Sequence, residues 1–338
     1  MRIGLLGAGN VAHYYLDGLA ASRVVETAAV ADRDPERGIP PEQLLGDASI
    51  ELVVNLTPAA VHAETTRAAL EAGKHVFSEK PLAMTLAEGE QLAALARERG
   101  LGLAVAPDTF LGPSLRTARR LLDAGELGEP VGAVASFTAP GSDLWHPNPD
   151  HLFAAGPVYD EGVYYLTALV ALYGPIASVS GMASRKRAER TIATGPRAGE
   201  RFTASAPTHW VGTLEFANGA LGTLTLSFAV RGTTAPALEL QGEAATLRLP
   251  FPGFYDGPLR LGREHDGPWQ ELEPDDPPLG RIRGPGVEDL AEAVRDGRPP
   301  RCSPELALHV LDAMESLVRA AETGKRERLR TTCGRLEP

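Results

Sequence analysis

Lys80, within Glu79-Lys80-Pro81, is the residue of this chain with the most chemistry open to it. It comes about seventy residues after the loop Gly7-Ala8-Gly9-Asn10-Val11-Ala12, which reads as a dinucleotide-binding turn. The later run places an ammonium group at the end of another strand of the same sheet. In an open parallel α/β sheet, ligands bind beyond the carboxyl ends of the strands. Lys80 then reaches the nicotinamide end of a cofactor whose pyrophosphate lies over Gly7 and Gly9. The chain contains four lysines, Lys74, Lys80, Lys186 and Lys325, and uses arginine elsewhere as its cation. Arginine keeps its proton near neutral pH, whereas a partly desolvated lysine can give it up.

The pattern around these groups shows which elements position them. Arg2 to Leu6 is a short apolar strand, and from Val11 onward Tyr14, Tyr15, Leu16 and Leu19 recur at helical spacing. Gly7 permits the tight turn, Gly9 lets the backbone approach the pyrophosphate, and Ala12 lets the helix pack close to the sheet. Beside them, Asn10 and Val11 open the helix, whose free N–H groups face the phosphates. A second strand, Val24 to Ala31, ends at Asp32. Its carboxylate accepts hydrogen bonds from ribose hydroxyls and repels a 2′-phosphate, which favours NAD. Arg33 supports the opposite reading, a 2′-phosphate partner for NADP. Leu52 to Leu56 is a buried parallel strand that leads to Thr57-Pro58. His62 follows in a helix; a lone histidine in a first helical turn is more often structural, and it is included as a contact only. The strand His75 to Ser78 delivers Glu79 and Lys80. Thr57, Pro58, His62, Glu79 and Lys80 thus join the glycine loop, Asp32 and Arg33 as expected cofactor contacts. Gly73 stops one helix, Thr85 and Glu88 form a capping box for the next, and Leu101 to Ala106 closes the run of strands.

At 338 residues the chain has room for two domains, read as 1–107 and 108–338. A formal net charge of −11 argues against a nucleic-acid-binding surface. No run is long or apolar enough to span a bilayer. Cys302 and Cys333 form no metal spacing or disulfide framework, and no metal is expected. Strand-like residues begin at Arg2, leaving no room for a signal peptide, so a cytoplasmic protein is expected.

These motifs resemble the Gfo/Idh/MocA oxidoreductases, the family of glucose–fructose oxidoreductase and inositol dehydrogenase. The resemblance covers nearly the whole length. It rests on the glycine loop, Thr57-Pro58 with His62, Gly73-Lys74-His75-Val76 before Glu79-Lys80-Pro81, and Asp160-Glu161-Gly162-Val163-Tyr164. It implies an α/β fold: an N-terminal Rossmann domain with a mostly parallel sheet, then an α/β domain with an open, mostly antiparallel sheet. It also implies NAD(P)-linked oxidation or reduction of a hydroxyl or carbonyl on a sugar, polyol or related small molecule, with Lys80 touching nicotinamide ribose and substrate. The family helix usually reads Asp-x-Gly-x-His-x-x-Asp. Asp160 matches the first position, while Tyr164 stands for the histidine and Thr167 for the last aspartate. The run Tyr164-Tyr165-Leu166-Thr167, with Pro107-Asp108-Thr109-Phe110-Leu111-Gly112 upstream, resembles a branch with tyrosine at the histidine position.

On an α-helix Asp160, Tyr164 and Thr167 share one face. Histidine titrates near pH ~6.5 and tyrosine near ~10, so a tyrosine needs a nearby cation to exchange a proton at neutral pH. One mechanism gives the proton to Tyr164, with Lys80 lowering its pKa and Asp160 balancing the charge. An equal variant makes Lys80 the base and Tyr164 a binding group. Tyr165 reads as core. Two functional alternatives also stay open: a non-catalytic dinucleotide-binding sensor or regulator, and an enzyme using transient oxidation for elimination or epimerisation.

The second domain offers further substrate contacts. Asp108, just past the last Rossmann strand, is a candidate hydroxyl acceptor or partner for Lys80. Trp145 and His146, in Trp145-His146-Pro147-Asn148-Pro149-Asp150-His151, read as sugar-binding types on a loop, or as a surface loop with one anchoring Trp. Thr213 to Leu226 reads as a hairpin with a type I′ turn at Asn218-Gly219. The arginine-rich stretch from Ser184 to Pro207 reads as a solvated loop or subunit contact more than as a lid, and Pro250 to Gly286 as a wrap along the sheet edge. The exposed face of an open sheet needs cover, so a homodimer or homotetramer is expected.

Overall fold

A computed structural model describes residues 1–334. The chain forms two compact units, Met1–Gly112 with Pro278–Leu311, and Pro113–Pro277 with the described residues from Asp312 onward. The sequence reading places everything after residue 107 in the second domain; in the structure Pro278–Leu311 packs with the first.

The first unit is built on β1 (Arg2–Leu6), α1 (Ala12–Leu19), β2 (Glu26–Ala31), α2 (Pro41–Gly46), β3 (Leu52–Asn55), α3 (His62–Glu71), β4 (His75–Ser78), α4 (Leu86–Glu98) and β5 (Leu103–Val105). Its sheet has the order β2-β1-β3-β4-β5, and every pair is parallel. Parallel strands are covered on both faces, so β3 reads Leu-Val-Val-Asn with all four residues buried. Leu6, Val53, Val76 and Val105 join Leu70 and Leu92 in one buried cluster between sheet and helices. Thr85 caps α4, its hydroxyl accepting the N–H of Glu88, and Gly73 turns the chain after α3 at φ +76°. The returning segment covers the edge of the sheet, where Val105 N–H donates to Cys302 O at 2.9 Å. Gly18 lets it approach α1, since a Cβ there would lie 2.0 Å from Arg283 O.

The second unit begins with α5 (Pro113–Asp123), β6 (Pro130–Thr138) and α6 (Asp150–Pro157). A π-helical turn (Val158–Gly162) then runs into α7 (Val163–Tyr173). Next come β7 (Ile176–Ser184), β8 (Glu189–Thr191), β9 (Arg201–Thr203), β10 (His209–Phe216), β11 (Leu221–Ser227), β12 (Leu238–Gly242), β13 (Thr246–Leu249), β14 (Leu259–Gly262) and β15 (Gln270–Leu272). Helices α8 (Pro285–Asp296) and α9 (Pro304–Thr323) and the short β16 (Glu327–Arg328) complete the order. The nine-stranded sheet runs β15-β14-β13-β12-β6-β11-β10-β7-β16 and is antiparallel except for the β6–β11 pair. The fold is therefore α/β, a parallel Rossmann-type sheet followed by a mixed, mostly antiparallel one.

Three local expectations change. The stretch from 184 to 207 is not merely a solvated loop: β8 and β9 pair, and Arg190 in the middle of β8 is buried. Pro250 to Gly286 extends the sheet through β14 and β15, because Leu259 and Leu261 alternate inward along β14. At the hairpin tip Gly219 alone is left-handed, at φ +90°, and Asn218 is not. A type I′ turn needs positive φ at both central residues, so this is a three-residue turn closed by Phe216 N–H to Ala220 O.

Candidate active site

The candidate groups of the first unit leave the C-terminal ends of parallel strands and so collect along one edge of the sheet. β1 delivers the glycine loop, β2 Asp32, β3 Thr57-Pro58 and β4 Glu79-Lys80. Strand order reverses direction at β1, with β2 on one side and β3 on the other, and such a switch point leaves a crevice. Gly7 is at φ +106°, and a Cβ there would lie 2.7 Å from Leu56 O, so no other residue makes this turn without strain. A Cβ on Gly9 would meet nothing within 4 Å, which leaves the backbone open to a ligand. Asn10 is exposed beside it and Val11 half-buried.

Asp32 accepts the N–H of Ala8 at 2.7 Å and that of Asp34 at 2.9 Å. The Asp34 N–H, first among several, lowers its pKa below the usual aspartate value and keeps the carboxylate charged. Asp32 thus braces the glycine loop while fixing a negative charge at the end of β2. Arg33 beside it is exposed. These residues fit a dinucleotide: a left-handed glycine, an unobstructed backbone, and a charged acceptor one strand away.

Glu79 was expected to meet the cofactor, but its carboxylate is engaged internally. It accepts the Tyr15 hydroxyl at 2.8 Å and the Lys80 N–H at 3.0 Å, so it shapes the turn that carries Lys80. Lys80 is half-buried, and the Lys80–Pro81 peptide is cis. His62 shows the structural role that is the more common one for a histidine in a first helical turn, in place of a cofactor contact. It is 1% exposed, with Nδ1 at 2.6 Å from Pro81 O and Nε2 at 2.7 Å from Thr57 O. It ties the Thr57 loop to the Lys80-Pro81 turn and presents no free edge to a cofactor. Asn55, which escaped the sequence reading, is the buried hub here. Its Oδ1 accepts the Thr57 hydroxyl at 2.7 Å, while Nδ2 donates to Thr65 and Thr66. The signal was present as a lone polar residue ending the strand Leu-Val-Val-Asn. Asp108 is 1% exposed, and its Oδ2 accepts Gly286 N–H at 2.9 Å at the start of α8. A negative charge there suits the helix end, which makes the carboxylate a structural group rather than an open hydroxyl acceptor. Lys74, another of the four lysines, is buried and donates to Asp47 O at 2.6 Å and Ile50 O at 2.8 Å.

In the second unit Asp160 lies inside the π turn, and Tyr164 in the first turn of α7. Gly156, at φ +71°, breaks the helix just before. The widened turn shifts Asp160 from the α-helical register that would align it with Tyr164 and Thr167. Both Asp160 and Tyr164 are half-buried, whereas Thr167 is 3% exposed and packs inside, not at a substrate surface. The Tyr164 ring centroid lies 6.0 Å from that of Phe251. Tyr165 is 1% exposed and donates to Ser136 O at 3.0 Å; burial, with Glu161, raises its pKa well above the tyrosine value and makes it a core residue.

Trp145 is 66% exposed, with its ring 5.4 Å from that of His146. The loop that holds them is anchored by Arg190, which donates to Pro140 O at 2.8 Å, Asp143 at 3.2 Å and Phe228 O at 2.7 Å. Among the described residues no helix is long and apolar enough to cross a membrane, and no group of three His, Cys, Asp or Glu is placed to hold a metal ion.

Two family models match. Residues 1–106 fit the oxidoreductase family with an NAD-binding Rossmann fold, and residues 115–248 fit the GFO/IDH/MocA C-terminal domain. Together they take in well over half of the sequence. The chain belongs to the Gfo/Idh/MocA oxidoreductase family. Within the family it is similar to dTDP-3,4-didehydro-2,6-dideoxy-alpha-D-glucose 3-reductase of Streptomyces violaceoruber, with 35% identity over 58% of this chain and 61% of that one. It is also similar to scyllo-inositol 2-dehydrogenase (NADP(+)) of Bacillus subtilis, with 29% identity over 56% of this chain and 57% of the relative. The chain thus spans less than two thirds of the length of these relatives. Among solved structures, levoglucosan dehydrogenase in complex with NADH and levoglucosan superposes with a TM-score of 0.81 at 20% identity, covering 98% of this chain and 100% of the other. An oxidoreductase domain protein from Kribbella flavida gives 0.81 at 24% identity, covering 97% of this chain and 98% of the other. These likenesses establish the shared fold.

Proposed function

We propose that this Gfo/Idh/MocA protein is an NAD-dependent oxidoreductase acting on a hydroxyl or carbonyl of a sugar, polyol or related small molecule. One observation carries the reading: a single parallel sheet edge holds the glycine loop, a charged Asp32 and Lys80 together. Gly7, Gly9, Asn10 and Val11 hold the pyrophosphate, and Asp32 accepts from the adenosine ribose. Its fixed charge disfavours a 2′-phosphate, so NAD outweighs NADP despite the neighbouring Arg33. When bound, the nicotinamide accepts or supplies the hydride. Lys80, steadied by Glu79 and Tyr15, orients the reacting oxygen. Tyr164 stands where the family pattern has histidine and exchanges the hydroxyl proton, with Lys80 as base in the variant reading. Asp160 accepts from a neighbouring hydroxyl. The relatives named for sugar and inositol substrates support this substrate class.

Titration of the purified protein with NADH and NADPH tests the reading. Tighter binding of NADH is expected, followed by nicotinamide reduction with some member of a sugar and polyol panel. Preference for NADPH would move the role to Arg33, and binding of neither would defeat the cofactor site. We also infer a homodimer or homotetramer through the outer face of the mixed sheet. Met182 and Val211 pair across β7 and β10 and are 78% and 47% exposed. Light scattering should show a larger species that Val211→Lys dissociates.

A further inference from the structure

Phe251 is the ring against which Tyr164 leans. It follows β13 in the turn Pro250-Phe251-Pro252-Gly253, where Phe254 N–H donates to Phe251 O at 3.2 Å. Gly253 folds back over the ring: a Cβ there would lie 2.3 Å from Phe251 Cε1, so no side chain fits at 253 while the ring stays in place. On its far side the turn is tied to the start of α5, where Ser114 N–H donates to Tyr255 O at 3.2 Å and the Ser114 hydroxyl to Gly257 O at 2.9 Å. Further rings close around Phe251. Phe254 meets it edge-on at 5.3 Å, Phe137 lies at 5.7 Å and Tyr165 at 5.8 Å, centroid to centroid. Tyr165 is itself fixed by its hydrogen bond to Ser136 O. Backbone, sheet and helix thus hold Phe251 in place, and beside it stands Tyr164, half-buried at the start of α7. The two centroids are 6.0 Å apart with the planes inclined at 59°, a tilted contact of the kind aromatic pairs favour.

We propose that Phe251 is a positioning residue for Tyr164: its ring fixes the side-chain rotamer that carries the Tyr164 hydroxyl to the reacting oxygen. The need for such a support is geometric. Proton exchange requires the two oxygens to come within about 2.6–3.2 Å. The phenol oxygen stands at the far end of its side chain, so a small rotation about Cα–Cβ carries it out of that range. A displacement of about 1 Å can cost on the order of a hundredfold in rate. Histidine, the residue of the family pattern at this position, carries its nitrogens closer to the backbone. A tyrosine there has the longer lever and gains more from a ring beside it. The Phe251 side chain has no polar atom and takes no part in the chemistry; it acts through Tyr164 alone. The inference rests on the reading above of Tyr164 as the group that exchanges the hydroxyl proton.

Kinetics of single and double variants, with crystal structures of the same proteins, test it. Phe251→Leu keeps an apolar side chain and removes the ring. On the best compound of the sugar and polyol panel with NAD, it should lower kcat roughly tenfold and leave KM and NADH affinity within about twofold. With Tyr164→Phe already in place the same change should lower kcat no further. A residue that acts only through another adds nothing once that other is gone. Unaltered kcat in Phe251→Leu, a loss carried by KM, or losses that multiply in the double variant would overturn the proposal. Multiplied losses are what a purely structural role gives. The structures supply a readout that needs no turnover. Tyr164 should occupy one rotamer in the native protein, and several or a different one in Phe251→Leu. The native rotamer kept alone in that variant would refute the proposal. If no compound turns over, or if Tyr164→Phe keeps full kcat, the reading above fails separately, and the Tyr164 rotamer alone decides whether Phe251 positions it. Should Phe251→Leu not fold, Phe251→Met takes its place in every measurement.

Discussion

In the first unit the cofactor-binding candidates other than His62 follow the ends of parallel strands, so their positions are inherited from the sheet. In the second unit His146, Asp160 and Tyr164 stand on a loop, a π turn and a helix start, and their positions come from packing. The difference shows in what secures each group. Lys80 rides on β4 and is steadied by a short chain, Tyr15 hydroxyl to Glu79 carboxylate to Lys80 N–H. The loop of His146 is secured by a buried cation, Arg190, whose guanidinium is 0% exposed and lies 4.6 Å from the centre of the Phe153 ring. Strand ends give rigid backbone sites suited to a cofactor common to many reactions. Packed loops are free to change and suit the part that chooses a substrate.

The largest effect that would break this comparison is on Lys80. Lys80→Met should lower kcat by about 10³-fold while moving the melting temperature by no more than about 2 °C. Unaltered turnover would remove Lys80 from the chemistry. Next comes Arg190→Met. It strands the Asp143 carboxylate, 3% exposed, and the Phe228 carbonyl, and should cost about 3 kcal/mol or more in denaturant unfolding. Protein that still folds should show weaker substrate binding with NADH affinity kept. Equal losses of both would show that the two regions are not independent.

Tyr15→Phe sharpens the first half of the comparison. Loss of one hydrogen bond to Glu79 should reduce kcat/KM about tenfold through Lys80, with NADH affinity less affected. The smallest effect concerns pH. Burial lowers the His75 pKa, opposed by Glu51, and Nδ1 accepts Gly102 N–H at 2.8 Å. The unfolded chain takes up this proton near pH ~6.5 and the folded chain only at lower pH. The associated stability is complete above that value and is lost as pH falls through the folded pKa. His75→Asn, which keeps an acceptor but does not titrate, should flatten the decline in melting temperature between neutral and mildly acidic pH. An identical decline in the variant would assign it to other groups.

Much of the first unit was legible because its signals are local. Gly7, Gly9 and Ala12 must follow an apolar strand and open a helix, and the Leu-Val-Val-Asn run can satisfy its backbone only inside a sheet. The inward role of Asp108 was not legible, since its partner, Gly286, is 178 positions away. Likewise, nothing in the spacing of Asp160, Tyr164 and Thr167 signals a π turn. An α-helical register was assumed for them, and burial of Thr167 removed one of the three. The arginines between Ser184 and Pro207 look alike as a string, and only packing against Phe153 and Asp143 separates Arg190 from the rest.

The order of elements, the dinucleotide turn and the family pattern were set by residues close together in sequence, where steric limits on φ and ψ and the periodicity of apolar side chains act directly. Which polar groups are spent on the fold and which remain for chemistry was decided by the tertiary structure. Glu79, His62 and Asp108 look catalytic by type, yet each is engaged by backbone or side-chain partners. A buried polar atom must find a partner, and that partner is chosen by proximity in space.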